Sequence, residues 1–155
     1  MPYHTLSKNL MIYLKKTCLL CVNILLCGIA RACIKLFPLT RITPYFGRPY
    51  KNILLSTMLT PKQHHQALHL CRSISLASQY TPWHSNCLTQ ALVARFWCYH
   101  LNIPYILYIG FKKDATSTSG YAAHAWLTAG SIAITGGHSF SNFHVVSSYL
   151  SREPL

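Results

Sequence analysis

The chain has 155 residues, enough for one compact domain and too few for two, and 51% of them are apolar, so it can build a hydrophobic core. Lys plus Arg number 14 against only two acids, Asp114 and Glu153, and the formal charge of +12 favours an anionic partner. Ten Tyr, six Phe and three Trp exclude a disordered chain, and the odd count of seven Cys argues against a secreted disulfide framework and for reduced thiols in a cytoplasmic protein.

The first element is apolar. Residues 17–30 (TCLLCVNILLCGIA) lie between Lys15, Lys16 and Arg31, Lys35. The stretch is shorter than the roughly 20 residues a bilayer-spanning helix needs. A secretory signal is a rival, because Ala30-Arg31-Ala32 resembles a cleavage site, but the basic start is long and Arg31 and Lys35 crowd the cut. The expectation is a basic amphipathic helix over residues 5–36, packed in the core or lying against a membrane surface or partner. Cys18 and Cys21 lack the second pair a zinc site requires and are expected to pack in the core.

Pro38, Pro44, Gly47 and Pro49 then mark loops and turns. Thr60-Pro61 reads as an N-cap with proline at the first helical position, opening a helix over 61–78 with Leu68, Cys71 and Leu76 on its buried side. His64, His65 and His69 crowd its first turns. His65 and His69 have the spacing of a metal pair, but no acid or third ligand is near, so neither metal nor cofactor is expected.

After Thr81-Pro82-Trp83, Ser85 or Asn86 caps a helix reaching about Leu101, with an apolar stripe of Leu88, Leu92, Phe96 and Tyr99. Asn102 is a left-handed stop, and Ile103-Pro104 forbids continuation. Residues 105–111 (YILYIGF) read as a strand buried on both faces, 112–121 as an exposed loop, and 122–128 and 131–135 as two strands joined at Ala129-Gly130. Helices followed by an antiparallel sheet give an α+β fold. The division is a helical N-terminal region, 1–80, that is not independent, and a core, 81–155.

The chemistry rests on two residues. Cys87 falls in the first turn of its helix, where unpaired N–H groups and the positive end of the helix dipole stabilise an anion, and thiolate is the nucleophilic form. His124 starts a strand in Ala123-His124-Ala125-Trp126-Leu127. With Ala129-Gly130 as the turn, 128 pairs with 131, 126 with 133 and 124 with 135. Ala125, Leu127, Ile132 and Ile134 then form a core face, while His124 lies on the other side, opposite Thr135. A Cys at a helix end, an imidazole on a sheet edge and a polar group that orients the ring make a thiol nucleophile with its base. The backbone N–H of Cys87 is one oxyanion donor. Trp126 lines the site or packs beneath it.

Taken in order, Cys87-Leu88-x-x-Ala91-Leu92, Ile103-Pro104, Ile109-Gly110 and His124-Ala125-Trp126 resemble the transglutaminase-like leader peptidases of lasso-peptide biosynthesis, specifically the stand-alone protease half of the split B protein; the similarity covers roughly residues 83–137. The resemblance implies a transglutaminase/papain-like core with the Cys-bearing helix on a small antiparallel sheet. It also implies a bacterial cysteine peptidase that removes the leader from a ribosomally made precursor peptide, aided by a leader-recognition protein and an asparagine-synthetase-like cyclase. By motif, Cys87 is the nucleophile and His124 the base. Family members carry an Asp on the strand after the histidine; here that place is about Gly136, and Asp114 is too far upstream to substitute. Thr135, a backbone carbonyl or a water is expected to orient the ring instead, with His138 and Asn142 as lesser candidates.

Two other readings compete. One is a non-catalytic scaffold that gathers precursor and cyclase, which would yield no new peptide termini. The other is a thiol-dependent acyl transferase, which would yield a cross-linked product. No nucleic acid is expected as partner, because no binding module or aromatic-basic interleaving accompanies the charge. Contact of the N-terminal helix with a membrane surface is compatible with the cytoplasmic reading.

Overall fold

The computed structural model describes residues 3–50, 56–82, 86–116, 120–137 and 140–151. Helix α1 runs unbroken over Tyr3–Leu36 because no proline intervenes before Pro38. Its apolar part extends over Lys16–Leu36, 21 residues, long enough by length and composition to cross a bilayer. That corrects the shorter stretch read from sequence: Ala32, Cys33, Ile34 and Leu36 continue the apolar run past Arg31. Asn23 and Cys27 are fully buried, and Leu26 and Ala30 lie against the core. Asn23 Oδ1 accepts a hydrogen bond of 2.7 Å from Trp97 Nε1, which ties α1 to the fold. Cys18 and Cys21 are exposed, contrary to the expectation that they pack in the core, because they occupy the helix face turned away from Asn23 and Cys27.

A short α2 (Leu39–Ile42) and a 3₁₀ turn (Thr43–Tyr45) lead to Phe46, fully buried, and then to β1 (Arg48–Tyr50). Helix α3 (Pro61–Tyr80) opens on a full capping box: Gln63 N donates to Thr60 Oγ1, and Thr60 N donates to Gln63 Oε1. Its buried residues are Ala67, Leu70, Ile74 and Ala77; Leu68 and Cys71 flank them, and Leu76 is exposed, against expectation. Helix α4 (Cys87–His100) likewise buries Thr89, Ala91, Val93, Ala94 and Cys98, while Phe96 and Tyr99 are exposed. The expected stripe of large residues is therefore displaced. α4 packs against α1, α3 and the sheet at once, and small side chains let the backbones approach on several sides. Asn102, with φ of 51°, ends the helix as expected.

Strands β2 (Ile106–Lys113), β3 (Tyr121–Ala129), β4 (Ile132–Thr135) and β5 (His144–Leu150) complete a five-stranded antiparallel sheet in the order β1-β5-β2-β3-β4. The whole is α+β. Leu107, Ala125, Leu127, Ala129, Ile132 and Ile134 face the helices in the main core. Ile106, Tyr108 and Trp126 form a second cluster with Phe143, Val145 and Leu150.

The β3–β4 turn lies one residue further along the chain than expected, which shifts the pairing by two residues and keeps the same faces. Ala129 pairs with Ile132 and Thr128 with Ala133, so the turn is Gly130-Ser131. Of the two turn residues only Gly130 has positive φ, at 56°, a conformation that glycine adopts without strain. An irregularity then sets Thr135 opposite Leu127, so it does not face His124.

Candidate active site

Asn86 sets the start of α4. Its backbone is extended (φ −68°, ψ 163°), and its Oδ1 accepts from Thr89 N at 2.9 Å and Thr89 Oγ1 at 2.6 Å. Cys87 is thereby the first helical residue, half-buried and resting against the main core. The other end of α4 is pinned through Thr57: its Oγ1 donates to the carbonyl of Pro104 and accepts from the N–H of Gly130. Thr57 thus bridges the loop that follows α4 and the turn that follows β3. α4 packs on β3 and β4. Cys87 stands at the first turn of α4, and His124 lies on β3.

His124 shares a sheet face with Trp126, opposite the face bearing Ala125 and Leu127. Its ring stacks on Trp126 at 5.7 Å and meets Phe143 at 4.9 Å; Trp126 in turn stacks on Tyr108 at 5.4 Å and Phe140 at 6.0 Å. Nε2 lies 3.1 Å from the Gly136 carbonyl. A carbonyl only accepts, so Nε2 carries the proton, and Nδ1 holds the lone pair of the neutral ring. Gly136 follows β4 directly, and β4 pairs with β3 only over Leu127–Ala129. The bond therefore ties the ring to the segment that follows β4.

A backbone carbonyl thus occupies the orienting place, one of the alternatives weighed beside Thr135. Gly136 allows it: φ is +72°, and a Cβ there would fall 2.7 Å from Trp126 Cβ, 2.9 Å from His124 Nε2 and 3.0 Å from the Ala125 carbonyl. Thr135 is buried, and its Oγ1 has no hydrogen-bond partner among the described residues. Asp114 is engaged locally: Thr116 N and Oγ1 both donate to its Oδ1, and these bonds hold its carboxyl below the usual range. Asn142 sits exposed in a 3₁₀ turn, and His138 and Trp83 lie outside the described residues. Cys98, on the same helix as Cys87, is buried; desolvation pushes its thiol from 9.0 to about 12, which leaves it inert.

Phe143 was not anticipated in the site. It precedes β5, whose polar-apolar alternation is short and broken by Ser147-Ser148, so sequence periodicity carries little signal there. Of the surrounding residues, Trp126 packs in the second cluster and bears on the histidine as well, so both roles considered for it coexist.

The model of the transglutaminase-like superfamily matches residues 34–148. No curated protein and no solved structure matches the chain.

Proposed function

The chain belongs to the transglutaminase-like superfamily, whose domains go with cysteine-protease or acyl-transferase chemistry, and on that premise we propose that it is a cysteine peptidase that removes the leader of a ribosomally made lasso-peptide precursor. The observation that supports the reading is the Nε2–carbonyl bond at Gly136, which in the neutral ring leaves Nδ1 as the base. The resemblance of Cys87-Leu88-x-x-Ala91-Leu92 and His124-Ala125-Trp126 to leader peptidases supports the substrate class.

In this mechanism Nδ1 of His124 takes the proton of the Cys87 thiol at the edge of β3. The thiolate sulfur adds to the scissile carbonyl, and the resulting oxyanion is held by the backbone N–H of Cys87, at a helix terminus where N–H groups lack intrahelical partners. Collapse breaks the C–N bond; the imidazolium returns its proton to the leaving amine, and a thioester remains on Cys87. Water, deprotonated by His124, then attacks the thioester and releases the leader carboxylate and the free thiol. A neutral carbonyl fixes the ring's tautomer but stabilises imidazolium less than a carboxylate does, so a slower turnover than that of an Asp-bearing homologue is expected.

The test is mass spectrometry of precursor peptide incubated with the protein and its leader-recognition partner. Two new termini, lost in Cys87→Ala and in His124→Ala with folding unchanged, are expected. Full cleavage by either variant overturns the dyad. Intact precursor with the native protein favours a scaffold, and a cross-linked product favours an acyl transferase.

A further inference from the structure

The outward face of α1 carries an uninterrupted apolar stripe. Leu14, Cys18, Cys21, Leu25, Ile29, Ala32 and Leu36 are all exposed and recur every three or four residues. Leu25 is 64% exposed, Ile29 51% and Leu36 75%. At 1.5 Å per residue the stripe is roughly 33 Å long. Near its middle, Gly28 opens a shallow hollow bounded by Cys21, Ile24, Leu25, Ile29 and Ala32. The opposite face of the same helix is committed to the fold through Asn23, Cys27 and the bond to Trp97. A soluble monomer gains nothing from a second apolar face.

The charge around the stripe identifies what it meets. Residues 1–50 contain seven Lys and Arg (Lys8, Lys15, Lys16, Arg31, Lys35, Arg41, Arg48) and no acid. A hydrophobic helix face within a purely cationic segment matches the interface of an anionic bilayer, where apolar side chains enter the acyl boundary and cations near the surface add electrostatic attraction. We infer that α1 docks the protein in the plane of an anionic phospholipid surface, its stripe of Leu14 to Leu36 inserted and its Asn23 face still bound to α4. Spanning is the other arrangement that the apolar length permits. It would strip Asn23 and Cys27 from the core and leave the Trp97 N–H without its acceptor.

The experiment uses the full chain and vesicles of phosphatidylcholine alone or mixed with phosphatidylglycerol. Sedimentation with the anionic vesicles, at least tenfold more than with the neutral ones and reduced by salt, is expected. Leu25→Asp and Ile29→Asp, both on the exposed face and so harmless to folding, are expected to abolish it while leaving the circular dichroism spectrum and peptidase activity on soluble substrate unchanged. Cys18 and Cys21 are built-in reporters: anionic vesicles should slow their alkylation by an aqueous maleimide. The inference is overturned by equal sedimentation with both vesicle types, by binding that survives the aspartate substitutions, or by resistance to alkaline carbonate extraction, which would show a spanning helix. It is equally overturned if the two aspartates cut binding of the recognition protein or cyclase and leave vesicle binding intact.

Discussion

At the scale of single residues, Gly136 is where the fold and the chemistry constrain each other most tightly. Its backbone sits in the left-handed region and its hydrogen atoms face Trp126 Cβ and His124 Nε2. Gly136→Ala adds a methyl group that has to displace one of them, besides left-handed strain of about 1–2 kcal/mol. The expected result is a fall in kcat of about 10²-fold with little change in KM, because the imidazole moves while the binding surface stays. Introducing a carboxylate with Gly136→Asp should fail for the same reason: the side chain has no room, so the variant gains no activity over the alanine form. A rate above the native one in either variant would refute the carbonyl's role. Cys98 supplies a second test at this scale. Its folded value, about 12, lies above the ordinary 9.0, so the buried neutral thiol contributes stability that is complete below pH 9 and is lost as pH rises toward 12. Denaturation midpoints of the native protein and Cys98→Ala should therefore converge across that interval. Iodoacetamide at neutral pH should modify Cys87 and spare Cys98 and Cys27, as peptide mapping would read.

At the scale of elements, α4 owes its starting point to one amide. Without the Asn86 cap the first turn loses the acceptor for Thr89 N, and Asn86→Ala should cost about 1 kcal/mol in urea unfolding and fray the turn that carries Cys87. An unchanged urea midpoint would show that tertiary packing alone holds that turn. The Thr60 cap, a cap at Ser85 or Asn86 and the Asn102 stop were legible in the sequence because each depends on a residue's own backbone chemistry, whereas the Gln63 half of the capping box was not read there. What the sequence could not disclose depended on partners. Large residues were expected inside α4, yet Ala91, Ala94 and Cys98 are buried, since the helix is enclosed by α1, α3 and the sheet. The β3–β4 faces were right for Ala125, Leu127, Ile132 and Ile134, but the two-residue shift in pairing and the irregularity beyond it moved Thr135 away from the histidine. Strands β1 and β5 left no pattern at all: β1 is three residues long, and β5 mixes Ser and His among its apolar positions. The Gly136 carbonyl that bonds His124 has no side chain to announce it in the sequence.

At the scale of the whole molecule, the field is lopsided. No Asp or Glu precedes Asp114, and that carboxylate is occupied by Thr116, so little offsets the cations of the first 113 residues. Two of those cations end β2 beside the site. Lys112 and Lys113 pair with Ala122 and Tyr121, just upstream of His124, and Lys112 Nζ lies 5.1 Å from the centroid of the Phe143 ring that touches the histidine. An acidic peptide approaching this end of the sheet meets converging positive potential, which raises its encounter rate and lowers KM without altering the chemical step. Lys113→Glu is the cleaner probe, because Lys113 is exposed and makes no packing contact with the site's rings, whereas Lys112 supports Phe143. For a precursor with acidic residues near its cut, the substitution should raise KM roughly five- to tenfold and leave kcat in place, the size expected of a single like-charge contact of about 1–1.4 kcal/mol. Because the Debye length shrinks from about 10 Å at 0.1 M to about 3 Å at 1 M, added salt should raise the native KM and erase the difference between native and variant. A KM that ignores both salt and the Lys113 substitution would detach the charge from the substrate and leave the membrane-facing segment as its sole use.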